Sequence, residues 1–330
     1  MKRKLLSLSA QYLLLLSIVV TVNFFIVYLV PGDAVEMMSR NLNEAGANGL
    51  ADETREMLRR YFGLDQPVLT QFVNYLRGLT VGDLGTSYFY QCPVVEIIFD
   101  YGLRTLVLIT LGIGLALVAG VPLGAFSALR RGHRPDTFLL LTQMTLHSIP
   151  PFLVATFLLI IFAVVLKWLP YSGSANIGRV SAPGVFEMLT GNLKHLILPV
   201  AALALWESTA IYYFTRNALV DILGEDFILV ARAKGLSEKA VLFRHALRIA
   251  LPTLVARFAL VFGTAIGGVF FVEDVFNFPG IATLALSAFR NYDYTLLRGV
   301  FLLLTVAILA VNFIADICLY RLDPRTLKTG

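Results

Sequence analysis

The chain of 330 residues has two cysteines, Cys92 and Cys318, too few for a disulfide framework or a four-cysteine zinc site. It is short of charge as well: Asp, Glu, Lys and Arg make up 15% of it, against about 25% in ordinary soluble domains. No G-x-x-x-x-G-K-[S/T] loop is present, so the usual ATP phosphate cradle is missing. H-E-x-x-H and G-x-S-x-G are missing too, which removes the basic constellations of zinc and serine hydrolases. The four histidines, His133, His147, His195 and His245, are scattered among loops and helix ends and argue against a metal centre. What is present is apolar: 57% hydrophobic residues, 12% aromatic, and a mean hydropathy of +0.75. A water-soluble globule of this size cannot hide so much apolar side chain, so the composition is that of a membrane protein. The net charge of +5 is spread between apolar runs rather than along one stripe. It therefore reads as membrane topology and not as a nucleic-acid surface.

A hydrocarbon core about 30 Å thick needs roughly 20 mainly apolar residues in a helix. Six stretches meet that length: 12–30, 103–129, 138–166, 195–214, 253–271 and 299–320. None alternates with period two, and all are too long for a transmembrane strand. The first follows Met-Lys-Arg-Lys, as a signal peptide would. Its apolar run exceeds the 7–15 residues typical of that signal, and Val30-Pro31-Gly32-Asp33 is no small-x-small cleavage site. It is read as a retained anchor.

Counting bases by side sets the orientation. The N-terminus, the loops 130–136 and 216–252, and the C-terminal tail carry fifteen Lys and Arg against six acids. The opposite side carries ten bases and fourteen acids. Positive-inside bias predicts that both termini are cytoplasmic, with 31–102 outside. Within 31–102, residues 51–62 predict a helix with Asp52, Glu53 and Glu56 early and Arg59 and Arg60 late, matching the helix dipole. A second amphipathic pattern covers 67–79 (Val68, Phe72, Tyr75, Leu76, Leu79), and Gly82, Gly85 and Pro93 punctuate the return to the membrane. This insertion reads as a small helical cap over the outer mouth in preference to a ligand-binding domain.

The loop 216–252 is the most informative segment. Residues 226–234 predict a short helix with Phe227, Val230 and Ala231 on one face, closed by Gly235. Ser237 opens a second helix whose apolar face holds Val241, Leu242, His245, Ala246 and Ile249. Two short helices along the membrane surface would make a docking platform.

The run Ala231-Arg232-Ala233-Lys234-Gly235-Leu236-Ser237, followed by Phe243-Arg244-His245-Ala246-Leu247, resembles the cytoplasmic motif of ABC importer permeases. The likeness is to the dipeptide, oligopeptide and nickel branch, on the member of the pair that has the large outer loop. It extends through Pro31-Gly32-Asp33, Gly63-Leu64-Asp65, Gly82-Asp83-Leu84-Gly85, Ser148-Ile149-Pro150 and Trp168-Leu169-Pro170-Tyr171-Ser172-Gly173. It continues in Phe276-Asn277-Phe278-Pro279-Gly280, Asp293-Tyr294 and Leu322-Asp323-Pro324-Arg325. Leu229-Val230-Ala231 stands where the sugar-importer motif has Glu-Ala-Ala, and its closing proline is displaced, with Arg248 near its place and Pro252 further on.

The resemblance implies an all-α membrane protein of the type I ABC importer permease fold, with six transmembrane helices and a helical extracytoplasmic insertion between the first two. The chain would divide into tail and first helix (1–30), outer helical loop (31–102), a five-helix core (103–320) and a cytoplasmic tail (321–330). As a permease it would perform no covalent chemistry and hold no cofactor, ATP and Mg being bound by partner subunits. Its implied partners are a second homologous permease, two cytoplasmic ATPases, an extracytoplasmic substrate-binding protein and the lipid bilayer, with no nucleic acid. Asp226, Ala231, Arg232, Ala233, Lys234 and Gly235 would form the coupling helix seated in an ATPase groove. Its substrate would be a peptide or a related small solute such as a nickel chelate. A self-sufficient secondary transporter or channel is the alternative, but it would need its own coupling-ion site and leaves the paired-helix loop without a task.

Charge within a span costs ~2.5–3.5 kcal/mol at the helix centre, so each case needs a reason. Glu207, followed by Ser208 and Thr209, sits near the middle of the fourth span. The three are candidates for the translocation pathway, where Glu207 would meet a substrate amine. An ion pair or hydrogen bond to a neighbouring helix, or a protonated acid, would account for it equally well. Asn312 and Asp316 share a face of the sixth span, where helix-to-helix bonding is favoured and Arg321 is within reach. Small residues from Gly263 to Gly268 would let another helix approach closely.

Overall fold

A computed structural model describes residues 2–26, 52–61, 65–171 and 193–322, together with Val35 and Ser39. The signatures at 31–33, 63–64, 172–173 and 323–325 and the end of the first predicted span lie outside the described residues, as does most of the tail. The elements are α-helices: α1 (Lys2–Ile26), α2 (Asp52–Tyr61), α3 (Val68–Val81), α4 (Val94–Leu129), α5 (Arg134–Ser148) and α6 (Pro151–Leu158). They continue as α7 (Leu193–Leu223), α8 (Asp226–Ala233), α9 (Glu238–Val275), α10 (Ile281–Arg290) and α11 (Tyr294–Leu322). Five of these, α1, α4, α7, α9 and α11, are long and apolar enough to cross a membrane.

The third predicted span is not one rod. Helix α5 meets α6, with its π-helical extension Leu159–Val165, at 97°. The cause is local: Pro150 forces Ile149 into extended backbone (φ −82°, ψ 124°), ending α5. Pro151 then occupies the first turn of α6, where its missing N–H costs nothing. Counted as a bent pair, the two make the sixth candidate crossing.

Helix α4 begins at Val94, nine residues before its predicted apolar start, because Pro93 presets its entry. It packs along α7 through a row of small side chains. A Cβ added at Gly112 would lie 2.6 Å from Leu203, at Gly120 2.8 Å from the Ser208 carbonyl, and at Gly124 2.7 Å from the Tyr212 carbonyl. Ala116 and Ala128 continue that row at the same four-residue spacing and are buried. The predicted close approach at 263–268 forms in part: an added Cβ at Gly268 would meet Trp206 at 3.6 Å and Leu203 at 3.8 Å, and Ala265 is buried, whereas at Gly263 and Gly267 it would meet nothing within 4 Å among the described residues.

At the end of the bundle that carries 31–102, two buried carboxylates organise the turns. Glu273 accepts from the amides of Ala282 (2.8 Å) and Thr283 (3.3 Å) and from Thr105 Oγ1 (2.6 Å), while Thr105 Oγ1 accepts the Ile281 amide (2.7 Å). The first N–H groups of α10, which no helical carbonyl can reach, are thereby satisfied. Asp293 accepts from Ser87 Oγ and from the amides of Phe89 (3.1 Å) and Leu296 (3.0 Å), tying the 86–93 turn to the start of α11. Helix α3 leans on the end of α1, where the rings of Phe24, Phe25, Phe72 and Tyr75 lie 5.1–5.4 Å apart in contacting pairs. The Arg298 guanidinium covers Phe24 at 5.3 Å. At the other end of α11, Asp316 accepts from Tyr12 of α1 at 2.8 Å, so the predicted helix-to-helix bond forms with that tyrosine.

The α4–α7 seam yields a test. Gly120→Leu forces a side chain into the Ser208 backbone and should cost about 1–3 kcal/mol. Gly263→Leu, facing open space, should leave the unfolding midpoint in detergent near that of the parent. Thermal melts of both variants check the contrast.

Candidate functional site

Helix α8 starts after Glu225 and carries Asp226 in its first turn, where the helix dipole favours an acid. It ends at Lys234, and Gly235 follows with φ 77°, a left-handed turn that suits glycine. The buried face consists of Ile228 and Ala231, packed among Leu219, Val241, Leu242, Ala246 and Ala250. Phe227, Leu229 and Val230 are 41%, 58% and 53% exposed. The predicted single face of Phe227, Val230 and Ala231 is thus split: Ala231 points in with Ile228, while Phe227 and Val230 face out.

The second short helix is corrected too. Ser237 caps it, accepting the Ala240 amide at 3.3 Å, but the helix runs on through a π-helical turn (Val241–Ala246) as the start of α9. Val241, Leu242 and Ala246 are buried, whereas Ile249 is exposed because the π turn shifts the register of everything after it. Among the coupling candidates, Arg232 holds Glu238 through two bonds of 2.9 and 3.1 Å, clipping α8 to the base of α9. Asp226, Ala233, Lys234 and Gly235 are exposed along the same rim.

Beside this platform lies a polar knot whose members do not stand out in the sequence. Arg216 of α7 grips Asp136 of α5 with bonds of 2.8 Å from both Nε and Nη2. Ser127 of α4 donates to the same carboxylate, and its hydroxyl lies 2.7 Å from that of Tyr212. Three helices thus meet at one buried ion pair. Arg216 follows Thr215 at the end of an apolar span, so in sequence it reads only as a topology marker.

Deep in α7, Glu207 is 1% exposed, and neither carboxylate oxygen has a hydrogen-bond partner among the described residues. It lines a cavity of about 290 Å³ with Trp206, Tyr213 and Phe214 of its own helix, His147 of α5 and Thr264 of α9. The other two pathway candidates are committed elsewhere. Ser208 Oγ donates to the Leu205 carbonyl at 2.8 Å. Thr209 Oγ1 donates to the Trp206 carbonyl at 2.7 Å and lies 2.9 Å from His147 Nδ1. Of the three, only Glu207 lines the cavity.

Residues 120–328 match the family described as the inner membrane component of binding-protein-dependent transport systems, and residues 1–111 match that component's N-terminal family. The chain belongs to this family. The permease is 33% identical over 309 residues, 94% of each chain, to the glutathione transport system permease protein GsiC of Salmonella typhimurium. A protein of Brucella ovis named as a peptide permease is 32% identical over 308 residues, 93% of each chain. Among solved structures, the inward-facing MetNI methionine ABC transporter has a chain of the same fold. The match has a TM-score of 0.56 at 16% identity and covers 69% of this chain and 96% of that one. The protein is therefore a multi-pass inner-membrane permease subunit of a binding-protein-dependent ABC importer, with the type I permease fold.

Replacing Arg216 by Met leaves Asp136 charged and unpaired in a buried site. Breaking such a pair from one side costs about 3–5 kcal/mol. The Arg216→Met permease should therefore melt well below the parent, and Asp136→Asn with Arg216→Met should recover part of the loss.

Proposed function

We propose that this permease forms half of the pathway of an ATP-driven importer for peptides or a related small solute, such as a glutathione-like compound or a nickel chelate. A second homologous permease completes the pathway, two ATPases bind the 216–252 loop, and an extracytoplasmic binding protein delivers substrate. Both termini lie in the cytoplasm, as the distribution of Lys and Arg favours. The transport step needs no covalent chemistry from this chain. The insertion 31–102 acts as a cap on the outer side, and α3's ring contacts with α1 support that role.

The observation that carries the reading is α8. Five consecutive apolar residues, Phe227 to Ala231, coat all sides of a two-turn helix. Ile228 and Ala231 account for the inward side, which leaves Phe227, Leu229 and Val230 as an exposed apolar ridge among the described residues. Charged Asp226 and Lys234 flank that ridge and Arg232 is clipped aside by Glu238, a composition suited to a protein groove. ATP acts through its differential affinity for the two arrangements of the ATPase pair, and a ridge seated in a groove follows that change. A channel or secondary transporter has no use for such a ridge.

Tagging the chain and extracting it in mild detergent should recover a second six-span permease and the ATPases. Phe227→Asp with Val230→Asp places two charges on the ridge without touching Ile228 or Ala231. The double variant should insert normally, lose at least about 90% of the co-purifying ATPase, and lose transport with it, because desolvating an unpaired carboxylate at an interface costs several kcal/mol. Retention of the ATPases at parental stoichiometry would move the docking site away from α8.

A further inference from the structure

Four carboxylates are buried among the described residues: Asp136, Glu207, Glu273 and Asp293. Asp136 has a guanidinium and hydroxyl, while Glu273 and Asp293 have amides and hydroxyls. Glu207 alone has none, though it lies in the middle of a span, where an unmet acid is most costly. The hydroxyls of Ser208 and Thr209 are already bonded. The Arg257 guanidinium lies over the Phe214 ring at 5.6 Å and makes no ion pair with Glu207. Nothing within the described chain repays the burial of this carboxylate, and the cavity in front of it is open to a guest.

The walls define the guest. Ionised against a bound cation, a carboxylate only accepts hydrogen bonds, and the faces of aromatic rings carry negative potential, so Glu207 with Trp206, Tyr213 and Phe214 favours a cation. A hard metal ion would want several oxygen ligands, which this cavity lacks, whereas an organic ammonium is suited to one carboxylate and aromatic walls. Trp206 supplies the complementary unmet group: its Nε1–H is buried without an acceptor among the described residues. One unmet acceptor and one unmet donor in the same lining match a molecule that carries an ammonium next to a carbonyl. About 290 Å³ holds an amino-terminal residue.

We propose that this cavity is an ammonium subsite in the translocation pathway, in which Glu207 pairs with the free amino terminus of a peptide-type substrate and Trp206 Nε1 donates to its first carbonyl. The occupant rests on the peptide-import reading above; the preference for an ammonium does not.

The test uses the complete transporter, nucleotide-free, with two probes of one shape: benzylammonium and neutral benzyl alcohol. The chain has two tryptophans, so the emission of Trp206 is isolated as the difference between the parent complex and its Trp206→Phe counterpart. Benzylammonium should change that emission at a concentration on the order of tenfold lower than benzyl alcohol, and Glu207→Gln should erase the difference. Equal responses, no response, or an undiminished preference in Glu207→Gln would each overturn the subsite. If the Gln variant assembles poorly, the parent comparison decides alone. Uptake of glycylglycine against its N-acetyl form then separates the two claims. Peptide uptake without an ammonium preference removes the subsite and leaves the importer reading intact. An ammonium preference without peptide uptake keeps the subsite and removes the peptide as its occupant.

Discussion

The permease is organised on the contact between α4 and α7. With side chains no larger than alanine at 112, 116, 120, 124 and 128, α4 presents a smooth edge about four and a half turns long, and α7 lies against it at backbone distance. Lipid tails are as apolar as leucine, so helices in a bilayer gain little from hiding apolar surface and much from close packing. That seam accordingly fixes the two helices as one strut. At one end of the strut Thr105 reaches the Glu273 carboxylate and the first amide of α10. At the other, Ser127 and Tyr212 meet Arg216 and Asp136, next to the packing that holds α8.

Much of this was legible as run length. Five of the six apolar stretches correspond to continuous helices, since about 20 apolar residues in a row have few other uses. The remaining stretch was read as a crossing but not as a bent one, because a hydropathy sum is blind to Ser148-Ile149-Pro150-Pro151, where backbone sterics break the rod without changing its polarity. The small-residue stripe was legible in part. Gly268 lies against Trp206 and Leu203 of α7, but Gly263 and Gly267 meet nothing within 4 Å among the described residues, and the backbone-close seam with α7 is made by Gly112, Gly120 and Gly124 of α4. Composition identifies residues that permit close approach, whereas the partner helix decides which of them are used.

The platform at 216–252 shows the same division. The existence of α8, its start near Asp226 and its stop at Gly235 follow from dipole and turn chemistry. Its inward face does not, since a helix that is apolar all round gives periodicity nothing to choose between. The π turn at 241–246 compounds this by rotating Ile249 outward. In the membrane, Glu207 was conspicuous as a lone acid beside the aromatics of its own helix, but the cavity is completed by His147 and by Leu260, Val261 and Thr264, which are distant in sequence.

These parts connect through α5, which is fastened to α7 at two levels. Asp136 near its start holds Arg216, and His147 near its end holds Thr209. Eleven residues separate the two rungs, about 16 Å along a helix axis. Between them α5 has no proline and no π turn at which to bend. Leu219 near the end of α7 packs in one cluster with Ile228 and Ala231 of α8, and the Arg216–Asp136 pair ties that same end of α7 to α5. The far rung of that same helix is His147, a wall of the Glu207 cavity, stacked on Trp206 at 6.0 Å between ring centres. Beyond it the chain turns by 97° into α6, so α5 itself ends at the cavity instead of continuing as a straight span. The geometry therefore joins the apolar ridge at one end of the permease to its one unpartnered buried carboxylate among the described residues, through a rigid segment that touches both neighbourhoods.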